Sequence, residues 1–177
     1  MKKTDKGTPI VNQEQLLKVL KESPKGVCVL GNVGIGKTWA FEHVFDKNAD
    51  ITKPKMYTAN DISAIYAAKG MPGIQETFKY QLQGRLPLII DDIGTEIIMG
   101  NYGTKLDVIE WLILQCYNAK TQLYFTTNLT IEALTERYGR RVVDRIKEST
   151  YIIVLEGNNL REEAYTKTST ELDELLN

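Results

Sequence analysis

The fold of this chain is decided by the stretch Gly31-Asn32-Val33-Gly34-Ile35-Gly36-Lys37-Thr38. It follows the apolar run Val27–Leu30 and leads into a segment of helical character that begins at Trp39. A G-x-x-x-x-G-K-[ST] motif between a strand and a helix is a P-loop, whose backbone N–H groups and helix dipole surround a polyphosphate. A glycine loop kept only for packing has no need of Lys37 and Thr38, so we expect a phosphate site here.

The ligand-binding residues expected from this motif are Gly31, Asn32, Val33, Gly34, Ile35, Gly36, Lys37, Thr38 and Trp39. Lys37 would reach the β- and γ-phosphates of a bound nucleotide. The hydroxyl group of Thr38 would hold Mg²⁺.

The length and composition of the chain fit one domain. The chain has 177 residues, of which 42% are hydrophobic, enough for a core on both faces of a sheet. The net charge of −1 argues against nucleic-acid binding by bulk charge alone, so such binding would need a local basic strip or several subunits side by side.

The cysteines and the absence of targeting signals indicate the compartment. Cys28 and Cys116 are expected to be buried thiols in a reducing compartment. The sequence lacks an apolar run of about 18 residues and a signal-peptide pattern, which predicts a cytoplasmic protein without a membrane partner.

Strands alternate with helices along the chain, which predicts an α/β fold with a parallel sheet and right-handed crossovers. Asn12 is the expected cap of a helix over Gln13–Glu22, with Gln15 in the capping-box position. Asn60 and Thr104 are the expected caps of two later helices. We expect residues 1–10 to be disordered, residues 11–161 to form the domain, and residues 162–177 to be a polar tail.

Two acids end the apolar strand Leu88–Asp91 at the same edge of the sheet as the P-loop. Asp91 would hold the magnesium shell behind Thr38, and Asp92 would orient an attacking water molecule. The alternative, a pair of turn acids that only close the strand, is weakened by the P-loop upstream. Asn128 follows another strand and would reach the γ-phosphate side, although an asparagine there is usually a turn residue.

Basic residues form two further sets. Arg140, Arg141 and Arg145 lie on one short helix, where Arg141 and Arg145 share a face. They form either a solvated surface or a contact to phosphate in their own or a neighbouring subunit. A second set could line a groove for a single strand of nucleic acid, but a solvated surface is the favoured interpretation; it comprises Lys53, Lys55, Lys69, Lys79, Tyr80 and Arg85.

Four segments taken in order resemble the AAA+ ATPase core of bacterial helicase loaders of the DnaC/DnaI type and the related IstB transposition helpers. They are Gly31–Thr38, Leu88–Gly94, Tyr124–Leu129 and Tyr138–Ile146, and the resemblance extends over Val11–Arg161. It implies a three-layer P-loop NTPase with a five-stranded parallel sheet of order 5-1-4-3-2 and without a helical lid. It also implies ATP hydrolysis with Mg²⁺, slow in the isolated chain, and assembly into homo-oligomers with ATP between subunits. The implied partners are a replicative helicase or a transposase, and single-stranded DNA.

The resemblance also assigns roles to individual residues. Lys37 and Thr38 match the Walker A pair, Asp91 the metal carboxylate of Walker B, Asp92 the catalytic acid, and Asn128 sensor 1. Arg145 matches the arginine finger, Arg141 is its companion one turn earlier, and Arg161 looks like the arginine that follows the last strand.

Two features depart from the family pattern. Asp92 stands where AAA+ proteins more often have glutamate, which shortens its reach to water. About 25 residues precede the first predicted strand, fewer than the separate domain with which such loaders hold the helicase. Two other functions are considered. One is a small P-loop phosphotransferase in which Arg140, Arg141 and Arg145 close over phosphates as a lid, and the other is a non-hydrolysing, ATP-dependent adaptor.

Overall fold

The computed structural model describes residues 2–45, 54–98, 100, 101, 104–162, 165 and 168. Its strands are β1 (Ile10–Val11), β2 (Gly26–Leu30), β3 (Met56–Thr58), β4 (Leu88–Asp91), β5 (Gly100–Asn101), β6 (Thr104–Lys105), β7 (Leu123–Thr127) and β8 (Thr150–Leu155). Its helices are α1 (Gln13–Glu22), α2 (Lys37–Val44), α3 (Ala59–Thr77), α4 (Val108–Asn118), α5 (Ile131–Tyr138) and α6 (Arg140–Ser149).

The main sheet has six parallel strands in the order β1-β8-β2-β7-β4-β3. The prediction of five strands in the order 5-1-4-3-2 is wrong, because β1 is a sixth strand at the edge of the sheet. Numbered along the chain, the six strands have the order 1-6-2-5-4-3. In β1, Ile10 pairs with Val154 and Val11 with Leu155. Two residues are too few to produce an alternating hydrophobic pattern, so the sequence carries no signal for this strand.

Helices cover both faces of the sheet. Val27 and Val29 of β2 pack in a core with residues of α1 and α2. Cys28 and Leu30 point the other way and pack with residues of α3, α4 and α6. The strand is therefore buried on both sides, as its continuous apolar sequence predicts. In the described part of the chain, none of the helices is both long and apolar enough to cross a membrane.

The two cysteines behave as buried apolar side chains. Cys28 and Cys116 are free thiols, and both are buried as predicted. Burial raises the pKa of each thiol to about 12. Because the thiolate is the reactive form, burial disfavours reaction of both cysteines at neutral pH.

The start of α1 is confirmed. Asn12 accepts the backbone N–H of Gln15 at 2.9 Å, and the Gln15 side chain accepts the N–H of Asn12 at 3.1 Å. This reciprocal capping box satisfies two N–H groups that the first helical turn leaves unpaired. It therefore fixes where α1 begins, directly after β1.

Two predicted caps are wrong. Thr58, not Asn60, caps α3, because Thr58 and Asp61 form a reciprocal capping box that starts the helix at Ala59. Asp107 caps α4, whereas Thr104 belongs to β6. In both places a second polar residue near the predicted cap satisfies the free N–H groups of the helix.

Candidate functional site

The predicted site residues meet where three adjacent strands end. The P-loop connects β2 to α2, Asp91 is the last residue of β4, and Asn128 follows β7. In the sheet, β7 lies between β2 and β4, so these three ends are neighbours. The carboxyl ends of parallel strands are the usual ligand-binding edge of such a sheet.

Lys37 occupies the centre of this group. Its side chain is buried, with 5% of the residue exposed. Its Nζ atom donates to the carbonyl oxygens of Gly31 at 2.8 Å and Asn32 at 2.7 Å, and to Oδ1 of Asn128 at 2.6 Å. Burial lowers the pKa of Lys37, and the negative charge of Asp92 opposes that shift. The ammonium group is thus held by neutral oxygens that a phosphate could replace.

The P-loop is braced from outside by two other segments. Nε2 of Gln13 in α1 donates to the carbonyl oxygen of Ile35 at 2.9 Å. The backbone N–H of Leu160 donates to the carbonyl oxygen of Gly34 at 3.0 Å. Gly34 has a φ of 82°, in the left-handed region that favours glycine, and a Cβ atom there would lie 2.0 Å from Oδ1 of Asn159. The loop is therefore held in shape by α1 and by the segment after β8.

Asp91 lies against Thr38 of the P-loop. The buried Asp91 carboxylate accepts a hydrogen bond from Oγ1 of Thr38, at 2.9 Å to Oδ2 and 3.2 Å to Oδ1. A hydroxyl and a carboxylate oxygen side by side are the hard ligands that Mg²⁺ takes, together with phosphate oxygens and water. The described ranges contain no cluster of three or more His, Cys, Asp or Glu that could hold a metal alone. These two residues therefore fit a magnesium ion that arrives with a nucleotide.

Asp92 has a different environment from Asp91. Its backbone is in the left-handed region, with φ of 55°, which is uncommon for a residue other than glycine. Nδ2 of Asn128 donates to Oδ1 of Asp92 at 3.3 Å. Partial burial raises the pKa of Asp92, and the charge of Asp91 raises it further. Asn128 therefore connects the Lys37 ammonium to the second acid.

Thr126 is a site residue that the sequence reasoning missed. Its buried hydroxyl group donates to Oδ1 of Asp91 and accepts the backbone N–H of Asp92 at 2.8 Å. One hydroxyl thus fixes the positions of both acids. A signal was present in the sequence, because a threonine in a strand buried on both faces must find a hydrogen-bonding partner.

Thr126→Val is expected to lower the free energy of unfolding by about 1–3 kcal/mol, because it removes the donor to buried Asp91 and the acceptor for the partly buried N–H of Asp92. Thr126→Ser is the control. It keeps the hydroxyl group and should lose only about 0.8 kcal/mol for the buried methyl group. Urea unfolding of both variants measures the difference. A Thr126→Val chain as stable as wild type would contradict the proposed bridge.

Glu96 fixes the loop that follows Asp91 and Asp92, and it is a second residue that the sequence did not predict. Its buried carboxylate accepts the N–H of Gly94 at 2.8 Å, Nη2 of Arg137 at 2.8 Å and the hydroxyl of Tyr138. Arg137 also pairs with Asp107, the cap of α4. The loop after Asp92 is thereby tied to α4 and α5. A glutamate in a polar loop gives no sequence signal that it is buried.

A cavity of about 400 Å³ opens beside the P-loop. Its lining includes Lys37, Asp92, Asn128 and Arg161, with the half-exposed ring of Trp39 at the rim. Burial lowers the pKa of Lys37 and raises that of Asp92; the positive charge of Arg161 adds to the first shift and partly offsets the second, in agreement with its place in this lining. The structure thus brings one predicted arginine to the site within the same chain.

Arg145 lies elsewhere. It contacts Tyr117 near the end of α4, and Tyr117 lines a different cavity with Lys25 and Gly26 at the start of β2. These residues lie at the amino edge of the sheet, where its parallel strands begin, whereas the P-loop lies at the opposite edge, where they end. Of the other two predicted arginines, Arg140 forms an ion pair with Asp144, with 3.7 Å between Nε and Oδ2, and Arg141 is exposed.

No protein-family model and no curated protein sequence matches the chain. Several solved structures are similar. The DnaC helicase loader has 21% sequence identity and a TM-score of 0.59, over 81% of this chain and 87% of that one. DnaI has 17% identity and a TM-score of 0.54, over 80% and 81% of the two chains. DnaA bound to AMPPCP and single-stranded DNA has 15% identity and a TM-score of 0.56, over 90% of this chain but 50% of that one.

These comparisons confirm the predicted resemblance at the level of the fold. The chain shares the fold of the DnaC helicase loader and of DnaI. It spans about half the length of the DnaA chain.

Proposed function

We propose that this protein is an AAA+ ATPase that binds ATP with Mg²⁺ beside the P-loop and couples hydrolysis to assembly on DNA, a replicative helicase or a transposase. One observation carries the proposal. Asn128 accepts a hydrogen bond from Lys37 and donates one to Asp92, while Thr38 donates to Asp91. The residues that we assign to phosphate, metal and water are thus linked by hydrogen bonds, and all of them except Asp91 line one cavity.

Each residue has a distinct task in this site. Lys37 exchanges the carbonyl oxygens that it now contacts for the β- and γ-phosphates. Thr38 and Asp91 would hold Mg²⁺, which would neutralise phosphate charge. Asp92 orients the attacking water. Asn128 fixes the position of Asp92 relative to Lys37, because it is hydrogen-bonded to both. Arg161 adds a positive charge from the same chain at the open side of the cavity.

The placement of Arg145 argues against the phosphotransferase alternative. A lid arginine must reach phosphate in its own chain, but Arg145 lies at the amino edge of the sheet, beside the start of β2. The five residues of β2 and then the P-loop separate that edge from Lys37. This arrangement favours a role for Arg145 in the site of a neighbouring subunit.

Lys37→Ala is expected to weaken ATP·Mg²⁺ binding about ten- to a hundredfold, since charge-assisted hydrogen bonds contribute roughly 1.5–3 kcal/mol. Isothermal titration calorimetry measures the effect. Lys18→Ala, which removes an exposed lysine of α1, is the matched control and should bind normally. Wild-type affinity in Lys37→Ala would refute the assigned nucleotide site.

Single-stranded DNA is expected to bind only when ATP is present, with affinity that falls steeply as salt is raised. A chain of net charge −1 must align several local basic patches by assembling before it can hold a phosphate backbone. Fluorescence anisotropy of a labelled oligonucleotide over a salt series, with and without ATP, tests this. Binding by a monomer that is indifferent to ATP would count against the loader-like function.

A further inference from the structure

The guanidinium group of Arg145 is held by two side chains of its own chain. Its Nη1 atom donates to Glu148, at 2.7 Å to Oε2 and 2.9 Å to Oε1. Its central carbon lies 4.9 Å from the ring centroid of Tyr117, in a cation–π contact. The Tyr117 hydroxyl donates to Oε2 of Glu148 at 2.5 Å, which closes the cluster.

Only one corner of the guanidinium is used in these contacts. All hydrogen bonds from Arg145 to described residues involve Nη1, which also donates to the Tyr117 hydroxyl at 3.4 Å. Nε and Nη2 have no hydrogen-bonding partner among those residues. A guanidinium carries five N–H donors in a planar fork and can bind a second anion through the remaining ones. The side chain of Arg145 is 38% exposed, so such an anion can come from solvent or from another molecule.

We propose that Tyr117 and Glu148 are positioning residues that hold Arg145 ready for the nucleotide phosphates of a second copy of this chain. The inference rests on the function proposed above. The aromatic ring fixes the plane of the guanidinium, and the carboxylate fixes its rotation within that plane. An arginine that is ordered before the subunits meet loses less conformational entropy when it binds phosphate.

The same contacts are also compatible with inhibition, in which Glu148 blocks Arg145, so the test must distinguish positioning from inhibition. If Glu148 masked the arginine, its negative charge would compete with phosphate, and its removal would accelerate hydrolysis. The side chain of Glu148 is 52% exposed, so Glu148→Gln is expected to leave the fold intact. Asp144→Asn is the matched control, because it removes a carboxylate of the same helix that pairs with Arg140 instead.

In assembled protein at saturating ATP, we expect Glu148→Gln and Tyr117→Leu to lower kcat about ten- to a hundredfold, as small misplacements of catalytic groups do. The Kd for ATP should stay unchanged, because the nucleotide cavity lies at the other edge of the sheet. Tyr117→Phe keeps the ring under the guanidinium but loses the hydroxyl bond to Glu148, so its kcat should lie between those of wild type and Tyr117→Leu. Asp144→Asn should also behave as wild type.

A mixing experiment assigns the defect to one side of the interface. Chains with Lys37→Ala offer an arginine but bind nucleotide poorly, whereas chains with Arg145→Ala bind nucleotide but offer no arginine. Glu148→Gln should reduce the activity of the mixture when it is combined with Lys37→Ala in the same chain. It should have no effect when it is combined with Arg145→Ala in the same chain. A purely structural role of Glu148 would reduce activity from either chain.

The outcomes separate the two proposals. Activity of Glu148→Gln equal to wild type, or above it, overturns the positioning role even when Arg145→Ala is inactive. Wild-type turnover by Arg145→Ala overturns the proposed function itself. If Tyr117→Leu fails to fold, Glu148→Gln decides the question alone.

Discussion

Asp92→Asn is expected to bind ATP as tightly as the wild type and to lose its turnover. The amide fills the same space as the carboxylate, but it lacks the negative charge and the basic oxygen that orient and polarise water. Groups in this role contribute about 10²- to 10⁴-fold to a rate. Calorimetry measures the binding, and phosphate release under single-turnover conditions measures the loss.

Asp91→Asn provides the contrast, because Asp91 contacts Thr38 and belongs to the expected metal shell. This variant should need more Mg²⁺ for the same nucleotide affinity. If both variants hydrolyse ATP at the wild-type rate, the acid pair is structural and the assigned site is wrong. If the wild type binds ATP but never hydrolyses it, even with DNA and partner present, the adaptor alternative is correct.

The pH dependence gives a second readout of Asp92. Burial and the charge of Asp91 raise its pKa, so its carboxylate form is lost at a higher pH than that of an ordinary aspartate. The kcat/KM for ATP, which reports the groups of the free enzyme, should fall on the acid side accordingly. For the ligand-free chain the sign is opposite, because the folded state binds this proton more tightly than the unfolded state. The stability from Asp92 is therefore present below its unfolded pKa and is lost as pH rises through the raised value.

The residues of the site that could be predicted from the sequence are those whose chemistry is tied to local order along the chain. Lys37 and Thr38 follow a strand and start a helix, and Asp91 ends a buried strand, so their common edge follows from parallel topology alone. Thr126 and Glu96 could not be placed in this way. Their roles depend on which strand and which helix become neighbours across more than 30 residues of sequence, as in the bond from Thr126 to Asp91.

The same distinction between local order and tertiary contacts explains which predictions about the fold were wrong. β1 consists of two residues and is defined only by its pairing with β8. The cap of α3 depended on a choice between Thr58 and Asn60, which differ little in intrinsic capping preference. The reciprocal bonds between Thr58 and Asp61 decide that choice. Local sequence identifies such candidates, whereas tertiary contacts select among them.

Arg145 is where chain topology adds most to the sequence. Periodicity places it on one face of a short helix and leaves open which phosphate it could reach. The fold adds that α6 leads into β8 at the amino edge of the sheet, away from the cavity beside the P-loop of the same chain. An arginine at this position contributes to hydrolysis only if a second subunit presents its nucleotide there.

Arg145→Ala is therefore expected to bind ATP like the wild type and to lose turnover by a factor of about 10³ to 10⁵, the range found for arginine fingers. A planar guanidinium can bridge two γ-phosphate oxygens, and a neighbour that supplies it makes hydrolysis depend on assembly. Isolated subunits should then be poor ATPases, with a rate per chain that rises with protein concentration. Phosphate release measured over a dilution series tests this dependence.

Mixing two inactive variants tests the action between subunits directly. Lys37→Ala lacks nucleotide but still presents Arg145, and Arg145→Ala binds nucleotide but lacks the finger. Part of the activity should return when the two are mixed, with a maximum near equal amounts, because intact Lys37 sites then meet intact arginines. An arginine that acted within its own chain would give no recovery at any ratio, since neither chain holds a complete set. The titration thus distinguishes a shared site from a self-contained one without any structure of the assembly.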